Sequence, residues 1–253
     1  MTPDVVVDIG NTRMKWGWLP EVGSTLKTVS LPPDDEDAWN SQLGPLPPRR
    51  TASWAVASVH PTRLERFTAW ARSRGERCEV INHSQIPLAV DVDEPTRVGI
   101  DRLLNAVAAR RRCPDREPVV IIDAGSAVTV DYLDERDVFR GGAILPGPRL
   151  MSRSLHEYTA QLPDLAIHEI PSSDPPGRNT RDAITVGIMA ALMGGCAMLV
   201  DEYAALSSRP PTVLMTGGAL GYLLDFDFAA GTQAGGPYPL TLEGIRIAAE
   251  ALP

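Results

Sequence analysis

The sequence predicts an α/β fold made of two similar lobes with a cleft between them. Strand-like and helix-like segments alternate along the chain, which is typical of α/β proteins. The segments VVVDIGNTRMKWGW (5–18) and VVIIDAGSAVTVDYL (119–133) share one pattern: a β-branched run, an Asp-x-Gly turn and a second β-rich run. Because this pattern restarts near residue 116, we expect one lobe at 1–115 and the other at 116–253.

The first half contains a predicted hairpin, a third strand and two helices. Alternating apolar residues and the turn at Gly10-Asn11 indicate the hairpin, and Pro61 suits the first turn of a helix. Apolar residues spaced three and four apart after Gly99 indicate an amphipathic helix. The predicted strands are 4–9, 13–19 and 51–59, and the predicted helices are 61–74 and 99–112.

The second half repeats the hairpin and continues into longer helices. The predicted elements are strands at 117–123, 127–133 and 138–145, a helix after LPGP, a long helix from about Asn179 to Leu206, a strand, Gly-rich turn and helix over 211–224, and a final helix in PLTLEGIRIAAEAL.

Composition excludes several classes of protein. The chain has 253 residues, 43% of them hydrophobic and 22% charged, which is ordinary for a globular protein. Its net charge of −8 argues against a general nucleic-acid or anionic-membrane binder. The strand-like start argues against a signal peptide, and we expect no apolar stretch to reach the roughly 20 residues that a membrane span needs. We therefore expect a cytoplasmic protein that binds no nucleic acid and no membrane.

The three cysteines, Cys78, Cys113 and Cys196, have no metal-binding spacing. Sparse cysteines without such a pattern are typical of reduced thiols in the cytosol. We expect them to be small packing residues.

The DIGNT segment has the residue types of a phosphate-binding turn. Gly10 allows close backbone approach, and Asn11 and Thr12 add donors to the N–H groups of the turn. Asp8 cannot bind phosphate directly, but a carboxylate can hold hydrated Mg²⁺, and Lys15 can neutralise phosphate charge. A simple hairpin turn made of Asp, Gly and Asn remains the alternative.

The DAGSAVT segment follows the same logic in the second half. Asp123 ends a strand, and Gly125, Ser126 and Thr129 supply a tight turn and hydroxyl groups. Two such loops facing each other across a cleft would provide donors on both sides of a nucleotide polyphosphate. The sequence contains neither GxxxxGK[ST] nor GxGxxG, so it has no P-loop or dinucleotide fingerprint.

The VGIDR segment (98–102) coincides with a predicted helix start. Asp101 in the first turn would be stabilised as an anion and could accept a hydroxyl proton during phosphoryl transfer. Arg102 could form a bidentate pair with a substrate carboxylate. The alternative is an ordinary helix-start aspartate followed by a surface arginine.

The ordered set of motifs resembles the type III pantothenate kinases. The matching segments are DIGNTRMKWG, EPTRVGIDRLLNAVAA, IIDAGSAVTVDYL, GGAILPG, GRNTRDAI, VLMTGG and LTLEGIRIA. This family belongs to the superfamily of acetate and sugar kinases, Hsp70 and actin. The resemblance implies two ribonuclease-H-like lobes with a nucleotide-binding cleft between them. It also implies ATP-dependent phosphorylation of pantothenate to 4′-phosphopantothenate, the first step of coenzyme A biosynthesis. Mg²⁺, a monovalent cation (K⁺ or NH₄⁺) and a homodimer with pantothenate near its interface are further implications.

The resemblance also implies roles for individual residues. Asp101 is the expected proton acceptor, and Asp123 is the expected ligand of the monovalent cation. The expected ATP contacts are Asp8, Ile9, Gly10, Asn11, Thr12, Arg13, Met14, Lys15 and Ser126, which replaces the family's usual Thr. The expected pantothenate contacts are Gly99, Ile100, Asp101, Arg102 and Thr180.

Two positions depart from the family pattern. Val92 stands where the family often has Tyr, which removes a substrate-contacting hydroxyl. Ile100 replaces the usual Ala and either crowds the pocket or packs in the core. Val92 therefore leaves open a related kinase acting on another small hydroxyl compound. A nucleotide-binding regulator without catalysis is a second alternative, but the presence of Asp8, Asp101 and Asp123 argues against it.

Overall fold

The computed structural model describes residues 1–20, 24–44, 46, 52–114, 116–165, 175–218, 228 and 232–252. The chain divides into two units. Met1–Arg112 together with Pro239–Pro253 forms the first, and Cys113–Tyr238 forms the second.

The elements follow one another in chain order. The first part of the chain contains β1 (Val5–Ile9), β2 (Met14–Trp18), β3 (Lys27–Leu31), α1 (Glu36–Gln42), β4 (Ser53–Ser58), α2 (Pro61–Ser73), β5 (Arg77–Val80), β6 (Ala89–Val90) and α3 (Ile100–Arg112). The rest contains β7 (Val119–Ala124), β8 (Ala127–Leu133), β9 (Val138–Pro146), α4 (Pro148–Glu157), α5 (Thr180–Ala205), β10 (Thr212–Thr216), β11 (Gln233–Gly235) and α6 (Leu240–Glu250). Two 3₁₀ turns, His83–Gln85 and Pro95–Arg97, lie before α3.

The two units contain the same arrangement of strands. In the first, the order is β3-β2-β1-β4-β5; β1, β2 and β3 are antiparallel neighbours, and β4 and β5 run parallel to β1. In the second, the order β9-β8-β7-β10-β11 has the same directions. The repeated sequence pattern therefore corresponds to a repeated mixed sheet, and the predicted α/β fold with duplicated ribonuclease-H-like lobes is confirmed.

The C-terminal helix packs in the first unit, whereas the predicted division assigned 116–253 to the second lobe. Leu242 is buried in one cluster with Val6 and Leu104, so α6 covers the first sheet beside α3. A Cβ on Gly244 would collide with the backbone of Leu104, so this glycine allows α6 and α3 to approach closely.

The opposite face of the first sheet is covered by α1 and α2 through an aromatic core. Trp16 and Trp54 are fully buried, and their ring centroids lie 5.0 Å apart in an edge-on arrangement. Phe67 and Trp70 of α2 pack against the same rings. The two faces of β1 therefore have different surroundings, aromatic on one side and α3 with α6 on the other.

Strong periodic patterns predicted the long elements closely, whereas weak patterns left short ones unrecognised. β3, α1 and β5 were not predicted. The edge strand β3 has only one buried residue, so it lacks an apolar alternation to detect. The helix predicted after the Gly-rich turn at 217–218 lies outside the described residues.

Helix α5 corrects the expectation that no apolar stretch reaches the length of a membrane span. Its 26 residues are long and apolar enough to cross a membrane. For a single helix, length and composition are weak evidence of a membrane span. Ile184, Ile188 and Leu192 of α5 are buried against the second sheet. One face of α5 therefore belongs to the core of the second unit.

The cysteines are free thiols with a packing role. Cys113 and Cys196 are buried, and Cys78 is partly buried. Burial raises the pKa of both Cys78 and Cys196 to about 11, so their thiols are neutral near pH 7.

Candidate active site

The first Asp-Gly segment is the hairpin loop between β1 and β2. Asp8 and Lys15 are directly opposite each other in the antiparallel ladder, so both side chains lie on the same face of the sheet. Both residues are half-buried. The four loop residues between the strands are closed by a bond from Gly10 N–H to the Arg13 carbonyl at 3.0 Å. Asn11, like its neighbours Thr12 and Arg13, is exposed.

Two of the predicted ATP-contacting residues point into the core. The side chains of Ile9 and Met14 are fully buried in the aromatic cluster of the first sheet. Only their main-chain atoms are available to a ligand on the loop, so Ile9 and Met14 remain predicted ATP contacts through the main chain alone.

Residues outside the predicted motifs hold the carbonyl groups of this loop. The Ile9 carbonyl accepts bonds from the Ser58 hydroxyl at 3.0 Å and from Val59 N–H at 3.3 Å. The guanidinium of Arg63 donates to the carbonyls of Gly10 and Asn11 at 3.2 and 2.5 Å. No sequence motif marked Ser58 or Arg63, because both reach the loop from elements far away in the chain.

The first turn of α3 holds the second group of predicted residues. The Asp101 carboxylate accepts a bond from the N–H of Arg102 at 2.9 Å, which fixes the direction of the carboxylate. A Cβ on Gly99 would lie 2.5 Å from Asp101 Oδ1, so only glycine fits there without displacing the acid. Ile100 is 7% exposed and packs in the core with Ala55 and its neighbours, which decides between the two interpretations of this departure in favour of packing.

The start of α3 and the aspartate of the first hairpin lie on the same side of the first sheet. Ile100 shares a buried cluster with Ala57, and Ala57 is the parallel neighbour of Asp8. The α3 side of the sheet therefore carries both Asp8 with Lys15 and the turn that presents Asp101.

A histidine supports the segment that leads into α3. The imidazole Nε2 of His83 lies 2.7 Å from the Val98 carbonyl, one residue before Gly99. No sequence pattern indicated this contact, since His83 belongs to no catalytic or metal-binding motif.

The second Asp-Gly segment is the hairpin between β7 and β8. Asp123 is half-buried, pairs with Thr129 across the antiparallel ladder, and is level with Thr216 on the parallel strand β10. All three residues therefore lie on one face of the second sheet. Within the described part of the chain, the Thr129 hydroxyl oxygen is buried and has no hydrogen-bond partner.

Glycines bring three turns together at this end of β7. A Cβ on Gly147, before α4, would collide with the carbonyls of Gly125 and Ser126, and the Gly147 N–H donates to the Ser126 carbonyl at 3.0 Å. Gly217 has φ +106° and would collide with Ala124 if it had a side chain. The exposed Ser126 thus lies in a tightly built loop.

Thr180 lies on the other face of the second sheet, at the start of α5. Asn179 caps this helix by accepting a bond from Asp182 N–H at 3.0 Å. Thr180 lines a groove of about 510 Å³ between α4 and α5, whose other lining residues are Met151, Ser154, Leu155, Leu162, Ala183, Ile184, Gly187, Ile188 and Ala191. Within this unit, the structure does not bring Thr180 to the Asp123 side of the sheet.

The acidic residues are compatible with the expected cations as single-carboxylate sites. The described residues contain no group of three or more His, Cys, Asp or Glu side chains that could hold a metal ion. Mg²⁺ bound with substrate phosphates needs only one or two carboxylates, and the half-buried Asp8 suits this role. Beside Asp123, the Thr129 hydroxyl, which has no hydrogen-bond partner among the described residues, would supply a second oxygen donor to a monovalent cation.

A model of the type III pantothenate kinase family matches residues 5–202, which is most of the chain. The chain belongs to the type III pantothenate kinase family. The type III pantothenate kinase of Halorhodospira halophila is 34% identical over 255 aligned residues and covers 95% of each chain. That of Rhodopirellula baltica is 40% identical over 154 residues, which is 59% of this chain and 54% of the relative.

Solved structures show the same fold at low sequence identity. A Baf family transcriptional activator from Campylobacter jejuni has a TM-score of 0.59 at 19% identity, with 97% of each chain covered. The archaeal actin homologue Ta0583 has a TM-score of 0.52 at 12% identity, with 99% of each chain covered. These similarities concern the fold alone and agree with its duplicated sheets.

Proposed function

We propose that this type III pantothenate kinase transfers the γ-phosphoryl group of ATP to the primary hydroxyl of pantothenate. The product is 4′-phosphopantothenate, in the first step of coenzyme A biosynthesis. The family match over residues 5–202 is the observation that supports this most strongly. The pairing of Asp8 with Lys15 and the position of Asp101 at a helix start agree with the chemistry.

The first hairpin loop is the proposed site of the ATP phosphates. Its backbone N–H groups and the ammonium of Lys15 would meet the phosphate oxygens, as anions are held by turns rich in N–H groups. Ser126, on the hairpin of the second unit, is the proposed further contact to ATP. Mg²⁺ held by Asp8, when bound, would supply positive charge next to the phosphates.

Asp101 is the proposed proton acceptor for the substrate hydroxyl. Its carboxylate is fixed by the Arg102 N–H at 2.9 Å and lies in the first turn of α3, where the helix dipole stabilises the anion. Phosphoryl transfer depends mainly on positioning, so a carboxylate suffices as the base. The Arg102 side chain would pair with the pantothenate carboxylate, next to Gly99 and with Thr180 as a further contact. Ile100, whose side chain is buried, could contribute only main-chain contacts.

The monovalent cation, K⁺ or NH₄⁺, is assigned to Asp123. The buried hydroxyl of Thr129, opposite Asp123, supports this assignment because it lacks a hydrogen-bond partner within the described residues. A cation there, when bound, would add positive charge beside the hairpin that carries Ser126.

A cytoplasmic homodimer is the proposed state of the enzyme. The groove between α4 and α5 is lined mainly by apolar residues and includes Thr180, the expected pantothenate contact. Met198 on α5 is 59% exposed, so apolar surface continues along the helix. In sedimentation velocity, the parent should be a dimer, and Ala183→Glu should shift it to monomers while retaining its circular dichroism. A monomeric parent at assay concentration would contradict the dimer.

The decisive experiment is a coupled assay with ATP, Mg²⁺ and K⁺ on pantothenate and on a panel of sugars and other hydroxy acids. We expect turnover of pantothenate well above that of the panel. The half-buried Val92, in place of the family's frequent Tyr, favours the rival of a related kinase with another substrate. Preference for a panel compound would support that rival, and no turnover with ATP binding intact would support the nucleotide-binding regulator.

A further inference from the structure

Arg63, at the third position of α2, contacts the backbone of the first hairpin loop. Its Nη1 atom donates to the carbonyls of Gly10 and Asn11 at 3.2 and 2.5 Å. The side chain is 19% exposed, so the guanidinium is largely enclosed between the helix and the loop. One arginine therefore binds two consecutive carbonyl groups of the turn.

The other edge of this guanidinium is fixed by Asp34. Nε lies 3.1 Å from both carboxylate oxygens, and Nη2 lies 2.7 Å from Oδ2. The hydrogen bond from Arg63 lowers the pKa of Asp34 below its ordinary value, because it stabilises the charged form of the carboxylate. The planar fork of Arg63 is thus held in one orientation while it binds the loop.

The direction of the carbonyls determines the direction of the neighbouring N–H groups. In a trans peptide the C=O and the following N–H point to opposite sides. The peptides of this loop are trans, since the cis bonds of the described chain both precede proline residues elsewhere. With the carbonyls of Gly10 and Asn11 turned towards Arg63, the N–H groups of Asn11 and Thr12 are directed to the opposite side of the loop. Successive N–H groups directed to one side form an anion-binding turn.

We propose that Arg63 is a positioning residue for the ATP phosphates, acting through the carbonyls of the Gly10–Asn11 turn and not by touching the nucleotide. This inference rests on the proposed placement of the phosphates at the first hairpin loop. Lysine cannot replace the arginine fully, because a single ammonium cannot bind the two carbonyls and Asp34 with the same planar geometry.

A purely structural ion pair between α2 and the segment before α1 is the competing explanation, and the chain contains a matched control for it. Arg66, one turn further along α2, donates from Nε to Glu36 at 2.8 Å, and both of these side chains are 44% exposed. Arg66 thus joins α2 to the start of α1, two residues from Asp34, in a similar ion pair. Exposed pairs of this kind contribute little to stability.

The test uses the full-length parent with Arg63→Gln, Arg63→Lys and Arg66→Gln. Nucleotide affinity is measured by calorimetry with ATP, which requires no turnover, and kinetics give the KM values for ATP and pantothenate. Arg63→Gln should weaken ATP binding about tenfold, the loss expected for a charge-assisted hydrogen bond, with the KM for pantothenate unchanged. Arg63→Lys should recover part of the affinity, and Arg66→Gln should bind ATP like the parent.

Several outcomes would overturn the proposal. They are an ATP affinity within twofold of the parent in Arg63→Gln, an equal loss in Arg66→Gln, or an equal rise of both KM values. If Arg63→Gln does not fold, Asp34→Asn serves as the second variant, because it weakens the ion pair that orients the Arg63 guanidinium. This variant should weaken ATP binding by a smaller factor. A parent that binds ATP without phosphorylating pantothenate would refute the proposed function while leaving Arg63 testable through nucleotide affinity. A parent that binds no ATP would refute both.

Discussion

The hairpins after β1 and β7 place an aspartate at the same position of the same strand order, but the residue opposite differs. Asp8 faces Lys15 in the first sheet, whereas Asp123 faces Thr129 in the second. An ammonium beside the first aspartate suits an anion such as phosphate, and a neutral hydroxyl beside the second adds an oxygen donor for a cation. Duplication thus produced two equivalent positions, and one opposing residue in each determines the charge of the ligand that suits it.

The two loops are also held by different means. Side chains of Ser58 and Arg63 bind the carbonyls of the first loop, so its orientation depends on polar contacts from other elements. The second loop is packed against Gly147 and Gly217, where any side chain would collide with its backbone. Point substitutions can therefore adjust the first loop gradually, whereas the glycine contacts of the second allow little change.

The largest expected effect is that of a substitution at the start of α3, outside both hairpins. Asp101→Asn removes the proposed base with little change in size, so kcat should fall by a factor of about 10²–10⁴ with nearly normal ATP affinity. Steady-state kinetics and calorimetry measure the two quantities, and Asp37→Asn on the exposed surface of α1 is the control. If Asp8→Asn and Asp123→Asn give the same kinetic profile as Asp101→Asn, the three acids have one shared electrostatic role.

The comparison between the hairpins is tested directly by exchanging their aspartates for asparagine. Asp8→Asn should raise the Mg²⁺ concentration needed for half-maximal rate, and Asp123→Asn should do so for K⁺, each by at least about tenfold because a charged ligand is lost. Rates are measured against both cations for each variant. If Asp8→Asn instead changed the K⁺ requirement and Asp123→Asn the Mg²⁺ requirement, the assignment of the two hairpins would be reversed.

The residue opposite Asp8 should matter for ATP and not for K⁺. Lys15→Met removes the ammonium while keeping the aliphatic stem, so the KM for ATP should rise about tenfold, as expected for a lost charge-assisted contact. Lys27→Met is a suitable control, because Lys27 is exposed on the edge strand of the same sheet. An unchanged KM for ATP would contradict the proposal that the ATP phosphates bind at the hairpin of β1 and β2.

The smallest expected effect concerns the hydroxyl opposite Asp123. Its removal should increase thermal stability but weaken the response of the rate to K⁺. Thr129→Val removes a buried hydroxyl that has no hydrogen-bond partner in the described part of the chain, so in K⁺-free buffer the Tm should rise by about 2–4 °C, corresponding to ~1 kcal/mol. The same change should raise the K⁺ concentration for half-maximal rate, and Thr129→Ser should preserve the response. A normal K⁺ response in Thr129→Val would exclude this hydroxyl from the cation site.

The hairpins and the helix starts were predictable because their signals are local. Asp-x-Gly turns between β-rich runs specify a hairpin, and Gly99 before an amphipathic run specifies a helix start that presents Asp101. The duplicated sheet was also predictable, since the repeated hairpins lie at equivalent positions in both sheets. The burial of Ile9 and Met14 is consistent with the alternation of side chains along a strand. Assigning all of residues 8–15 to one ATP-binding loop obscured this alternation.

The contacts of Arg63, His83 and Thr129 required the tertiary structure. Arg63 lies about fifty residues after the loop it binds, and nothing in its neighbours distinguishes it from Arg66. The position of α6 was likewise decided by packing, because its apolar face fits the first sheet beside α3 and its sequence carries no sign of which sheet it covers. The sequence by itself determined the family, the repeated strand order and the acidic residues, since these depend on short-range patterns. Only the tertiary structure decided which side chains orient the loops, because such contacts join residues that are distant in the chain.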